Sequence, residues 1–216
     1  MDPAKRVRKV PEKILLGPGP TPVEGRVLRA MSEPTLGHLD RDFVAIMDET
    51  RDLLRMVFQT GNDLTVAMSG TGSAGMETAC VNMIERGDKV IVCSHGVFGS
   101  RMQDVAGRCG AGVVEVNAPM GRPVDPGEVE KAIRANPDAK LLGIVQAETS
   151  TGVLQPLDEI ASLVHEAGMF MLVDAVTSLG GMEVPVERLG LDMVYSGSQK
   201  CLACPPGLAP VTVGPK

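Results

Sequence analysis

From residue 64 onward the chain alternates short apolar runs with stretches of helical period. Residues 64–68, 89–93, 113–116, 141–146, 169–173, 192–195 and 208–213 read as seven strands. Residues 73–84, 98–109, 126–135 and 157–167 read as the intervening helices. The strands are continuous apolar runs rather than alternating ones, as expected when helices cover both faces of a sheet. Strand–helix alternation predicts βαβ units, an α/β fold and a mostly parallel seven-stranded sheet flanked by helices. Ahead of this region, residues 40–58 place Phe43, Ile46, Met47, Leu53, Leu54 and Val57 on one helical face, with Asp40 as N-cap. That face is expected to pack, either within the chain or against another subunit. Residues 1–13 read as a flexible lead. Leu15-Leu16-Gly17-Pro18-Gly19-Pro20-Thr21-Pro22 reads as a rigid bend that is neither helix nor central strand.

In a parallel sheet, ligands collect beyond the carboxyl ends of the strands, so the residues just after each strand are the place to look for chemistry. Three such ends stand out. Ser69-Gly70-Thr71-Gly72-Ser73 joins a strand to a helix. Its open N–H groups and the helix N-terminus suit an anion, above all phosphate, with hydroxyls from Thr71 and Ser73. Gly70, Gly72 and Gly75 also have dinucleotide-fold spacing, but no acid follows the next strand, which ends Cys93-Ser94-His95. Asp174 directly follows a buried strand, where a carboxylate costs desolvation energy unless partnered. It either caps the next turn or pairs with the ring nitrogen of pyridoxal 5'-phosphate, keeping that nitrogen protonated. Lys200, in Tyr195-Ser196-Gly197-Ser198-Gln199-Lys200, stands at the tip of the turn after the strand 192–195. It reads as the imine-forming lysine that holds the cofactor and later moves the substrate's Cα proton.

Lesser positions fit the same cofactor. Phe98 either belongs to the core or lies flat on the ring, and Thr149, in Glu148-Thr149-Ser150-Thr151-Gly152, either caps a helix or bonds the ring's 3'-oxygen. His95 and His165 read as structural or exposed, and His38 either does the same or edges the site.

Composition narrows the picture further. The chain has 216 residues, 44% hydrophobic and 22% charged, with a net charge of -6. The basic start (Lys5, Arg6, Arg8, Lys9) is too short to argue for nucleic acid, and 2% aromatics leaves few stacking platforms. Five cysteines at irregular spacing argue for reduced thiols in a cytoplasmic setting. Cys201-x-x-Cys204 lacks a second pair and is read as neither metal nor redox site. No apolar run reaches the roughly 18 residues of a membrane span.

With these residues assembled, the sequence resembles the class V pyridoxal-phosphate-dependent aminotransferases of fold type I, within them the alanine–glyoxylate and serine–glyoxylate group. The pieces are Leu16-Gly17-Pro18-Gly19-Pro20, Ser69-Gly70-Thr71-Gly72-Ser73, Glu148-Thr149-Ser150-Thr151-Gly152, Val173-Asp174-Ala175-Val176 and Ser196-Gly197-Ser198-Gln199-Lys200, with Pro205-Pro206-Gly207 after it. They occur in the family's order. The resemblance implies Lys200 as the imine lysine, Asp174 on the ring nitrogen, and Phe98 and Val176 on the ring. It implies Thr71, Gly72, Ser73 and Gln199 around the phosphate, Thr149 near the 3'-oxygen and Gly19 beside the substrate. Relatives often carry Trp where Phe98 stands. The implied partners are small amino acids and 2-oxo acids, in a homodimer with no nucleic acid and no membrane. The implied layout is an N-terminal arm over 1–25 and the cofactor-binding large domain over 26–216, with the family's C-terminal small domain absent. A chain so bounded is expected to hold the cofactor weakly and to transaminate poorly. A non-catalytic module of the same fold, or a lyase or desulfurase, is the alternative.

Overall fold

The computed structural model describes residues 10–11 and 13–215. Residues 1–9 and 12 of the expected flexible lead lie outside the described residues. A short helix, α1 (Gly25–Ala30), precedes the long α2 (Arg41–Phe58). Asp40 caps α2, its Oδ1 accepting from the Asp42 N–H at 2.9 Å. There follow β1 (Leu64–Ser69), α3 (Gly72–Met83), β2 (Lys89–Ser94), α4 (Val97–Arg108), β3 (Gly112–Asn117), α5 (Pro126–Ala135) and β4 (Ala139–Val145). A two-strand ribbon, β5 (Ala147–Glu148) and β6 (Val153–Leu154), leads to α6 (Asp158–Glu166), β7 (Phe170–Asp174), α7 (Val186–Leu189), β8 (Met193–Tyr195) and β9 (Leu208–Val213).

Seven strands form one sheet in the order β1-β9-β8-β7-β4-β2-β3. Only β9 runs against its neighbours; β8, β7, β4, β2 and β3 pair in parallel. The parallel strands therefore deliver their carboxyl ends to one edge of the molecule.

Two aliphatic cores sandwich the sheet. On one face Phe58, Val129, Ile133, Ile160 and Val164 of the helices meet Ile91, Leu142, Ile144, Met171 and Val173 of the strands. On the other, Met76, Cys80, Met102 and Ala106 of α3 and α4 meet Val90, Val92, Leu141, Leu172 and Tyr195. Successive residues of β2 alternate between the two, because side chains on a strand point to opposite faces. With both faces apolar, no polar alternation shows in the central strands.

The expectation of cover on both faces fails at the two edge strands. Leu64 and Met68 of β1, and Glu115 and Asn117 of β3, are solvent-exposed or nearly so. An edge strand has one neighbour, and the helices pack over the middle of the sheet. The apolar face of α2 is also open. Only Leu54 and Phe58 reach the core, while Ile46, Leu53 and Met56 are 52%, 53% and 74% exposed.

Candidate active site

β7 and β8 pair with Asp174 opposite Tyr195. Both side chains point to the α3–α4 face and both are buried. The Tyr195 hydroxyl donates to Asp174 Oδ2 at 2.7 Å, and the Val176 N–H donates to Oδ1 at 2.8 Å. Burial pushes the Asp174 carboxyl up to about 6, against the lowering effect of these two donors. The Glu148 charge adds to the rise and the Lys200 ammonium opposes it. Burial and the adjacent Asp174 together raise the Tyr195 phenol well above its ordinary value. In the sequence Tyr195 shows only as the end of a strand; in the fold its hydroxyl fixes the orientation of the carboxylate.

After β8 the chain turns through Ser196–Lys200. Ser196 Oγ donates to the Ala175 carbonyl at 2.9 Å, and Ser198 Oγ donates to the Pro205 carbonyl at 2.6 Å. These bonds hold the loop between the end of β7 and the start of β9. Lys200 is half-buried, and its Nζ donates to the Pro18 carbonyl in the N-terminal bend. The bend is anchored by Thr21, whose N–H reaches the Gln199 carbonyl at 3.1 Å and whose hydroxyl reaches the Lys200 carbonyl at 3.1 Å. Gly19 lies directly on the lysine: a Cβ there would stand 2.8 Å from Lys200 Nζ. The Gly/Pro bend thus lines the site, close enough that a larger residue would displace Lys200.

The loop after β1 meets the lysine loop. A Cβ on Gly197 would lie 3.4 Å from both the backbone N and the Cα of Gly72, the first residue of α3. Gly72 itself abuts Val176, whose Cγ2 is 2.7 Å from where a Cβ would be. Thr71 occupies the N-cap of α3 but makes no side-chain cap bond. The amide oxygen of Gln199 is buried beside this junction with no hydrogen-bond partner. A helix start without a side-chain cap leaves backbone N–H groups open and is suited to an anion.

Phe98 sits in the first turn of α4, and Glu148 holds that turn in place. Glu148 Oε2 accepts from the N–H groups of Phe98 (3.1 Å) and Gly99 (3.2 Å). Its Oε1 accepts from the Ser150 N–H (3.1 Å) and hydroxyl (2.7 Å), and Ser150 Oγ accepts from the Val97 N–H at 2.9 Å. The α4 N-cap is Gly96, which has no side chain to offer, so this cap comes from 50 residues away. Gly96 is required there, since a Cβ would fall 2.3 Å from Glu148 Cγ.

Of the other residues singled out, the Thr149 hydroxyl bonds the Thr177 hydroxyl. His95 is 1% exposed with neither ring nitrogen partnered, and burial lowers its pKa. His165 Nε2 lies 3.0 Å from the Gly190 carbonyl. His38 is exposed in the turn before α2, with no hydrogen bond to these groups among the described residues. All five cysteines are free, and no cluster of metal-binding side chains occurs among the described residues.

The α/β sheet thus brings a lysine, a buried aspartate and an uncapped helix N-terminus to one edge. The aminotransferase class-V family profile matches residues 15–215, and the chain belongs to that family. It is 41% identical over 207 residues to rat (Rattus norvegicus) alanine–glyoxylate aminotransferase, covering 96% of this chain and 50% of the relative. It is 38% identical over 202 residues to (S)-ureidoglycine–glyoxylate transaminase of Bacillus subtilis, covering 94% of this chain and 48% of that one. Among solved structures, alanine–glyoxylate aminotransferase from Nostoc sp. superposes with a TM-score of 0.95 at 45% identity, covering 97% of this chain and 55% of that chain. The chain spans about half the length of the curated relatives it matches.

Proposed function

We propose that this chain carries the cofactor-binding half of a pyridoxal 5'-phosphate-dependent aminotransferase, one that moves an amino group from a small amino acid, alanine or serine, to glyoxylate or pyruvate. The observation that carries this reading is the bonding of Asp174. An ionised carboxylate has about four acceptor sites, and here two are filled, by Tyr195 and Val176. The free capacity fits a protonated ring nitrogen, and the N-terminus of α3, which carries no side-chain cap, with the hydroxyls of Thr71 and Ser73 beside it, fits a phosphate. The pieces therefore suit the cofactor at both of its ends.

Bound there, the cofactor supplies an electron-withdrawing ring that draws charge away from the substrate's Cα. Asp174 keeps the ring nitrogen protonated. Lys200 would hold the cofactor's aldehyde carbon and, once displaced by substrate, would be the group that moves the substrate's Cα proton. Phe98, seated by Glu148, and Val176 bound the ring. Thr71, Gly72, Ser73 and Gln199 hold the phosphate, Thr149 bonds the 3'-oxygen, and Gly19 closes the substrate side over Lys200. The names of the relatives support glyoxylate as the acceptor. The open apolar face of α2 and the exposed Leu16 of the arm support assembly of two copies. Five free cysteines support a reducing, cytoplasmic setting.

The test is an absorbance titration of the chain with pyridoxal phosphate, beside Lys200→Ala. A near-visible band that borohydride fixes covalently to the wild type alone, and that alanine or serine bleaches, is the expected result. A band that no amino acid bleaches would favour a cofactor-holding module without turnover. No band in either protein would overturn the cofactor assignment for this chain.

A further inference from the structure

The cradle described so far contains no full positive charge apart from Lys200, which the reading above commits to the cofactor's other end. A phosphate dianion held by helix N–H groups, hydroxyls and an amide alone keeps its charge unneutralised. One guanidinium stands beside it. Arg101 lies one helical turn beyond Phe98 on α4, so the two side chains share a face. Its Nη1 donates to Ser73 Oγ, in the first turn of α3, at 3.1 Å. Its guanidinium carbon is 5.9 Å from the centroid of the Phe98 ring.

Arg101 has a carboxylate within helical reach that it does not use. Asp104, three residues on, instead bonds Arg108 at 2.8 Å. Among the described residues Arg101 forms no ion pair, whereas Arg51, Arg55, Arg108, Arg134 and Arg188 each have an acidic partner. The Ser73 hydroxyl accepts from Arg101, which leaves its own proton free to donate into the cradle.

From this the geometry points to Arg101 as a further phosphate ligand, an anion clamp spanning the ring face and the phosphate end of one bound molecule. The inference rests on the cofactor reading above and deepens it. Arginine suits the place, because its planar fork bonds phosphate oxygens in pairs while its face lies on an aromatic ring. The side chain is exposed, so solvent and salt screen part of its contribution.

The experiment compares pyridoxal phosphate with pyridoxal, which lacks the phosphate, by spectroscopic titration of the whole chain. The proteins are wild type, Arg101→Ala, Arg101→Lys and, as a control on the same helix, Arg108→Ala. Expected is a roughly tenfold loss of pyridoxal phosphate affinity in Arg101→Ala. Pyridoxal affinity should be unchanged, Arg101→Lys intermediate and Arg108→Ala like wild type. The wild type should also lose affinity with added salt more steeply than Arg101→Ala. Equal losses for both ligands would show a packing role through Phe98 and overturn the proposal. Unchanged pyridoxal phosphate affinity in Arg101→Ala would overturn it while leaving the cofactor reading intact. A folded wild type that binds neither ligand would overturn both.

Discussion

Two carboxylates are buried at neighbouring strand ends, and they are spent differently. Glu148, just beyond β4, is 1% exposed, and Asp174, closing β7, is 3% exposed. Glu148 accepts from Phe98, Gly99 and both donors of Ser150, which fills its acceptor capacity with the chain's own groups. Asp174 accepts from Tyr195 and Val176 and has capacity left. A buried charge that is fully bonded supports structure. One that is half bonded, with a raised pKa, is held at some cost to the fold and is a candidate for function. The two look alike in sequence, each an acid after an apolar run; only the count of donors separates them.

The largest effect should come from Asp174→Asn. Carrying Asp174 ionised and buried costs the cofactor-free fold roughly 3 kcal/mol at neutral pH. The sign follows from its direction. With the folded value near 6 and the ordinary value 3.8, the folded state binds the proton more tightly, so stability falls as pH rises from about 4 to 6 and stays reduced above. Asn carries no charge but loses one acceptor, so a net gain of about 1–2 kcal/mol at pH 8 is expected. The gain should fade as pH falls through 6, as read by thermal unfolding of the cofactor-free proteins at pH 8 and pH 5. Transamination by the loaded protein should fall on the order of a hundredfold or more. A variant less stable than wild type at pH 8 would mean that the carboxylate is bonded as completely as Glu148.

Glu148→Ala should do the reverse. It leaves three backbone N–H groups and a hydroxyl without their acceptor and opens a cavity behind Gly96, a loss of about 3 kcal/mol. Glu148→Gln keeps one oxygen and the shape, so about half that loss is expected. Denaturant midpoints at unchanged slope measure both. If Glu148→Gln were instead neutral, while cofactor binding weakened, Glu148 would belong with Asp174 rather than opposite it.

The sequence carried the alternation of strands and helices well, because the central strands are unbroken apolar runs; their bounds differ from the observed ones by one or two residues. It missed α1, α7 and the β5–β6 ribbon, which are too short to show a period. It placed Lys200, Asp174 and the loop after β1 at strand ends, where the fold brings them together. It could not reveal the partners. Tyr195 meets Asp174 only through the pairing of β7 with β8, Glu148 caps a helix 50 residues upstream, and Arg101 reaches Ser73 across two helices. Helical period showed that α2 has an apolar face, but not that this face would be left open.

The smallest predicted effect is the most specific. Tyr195 is the chain's single tyrosine, and there is no tryptophan, so its phenol absorbance reports one site without interference. Buried against Asp174, it should not ionise in the native protein as pH rises past 10, and the phenolate signal should appear only with unfolding. Tyr195→Phe removes one of the two donors that hold the Asp174 carboxyl down. The expected cost is about 1–2 kcal/mol at pH 8. The pH at which the fall in stability levels off should also move upward, because a carboxylate with fewer donors ionises less readily in the folded state. Around Glu148, losing one donor of four by Ser150→Ala should cost about 1 kcal/mol. If the pH dependence of Tyr195→Phe matched that of wild type, a group other than Tyr195 would be bonding the open side of Asp174. The difference between the two carboxylates would then be one of burial alone.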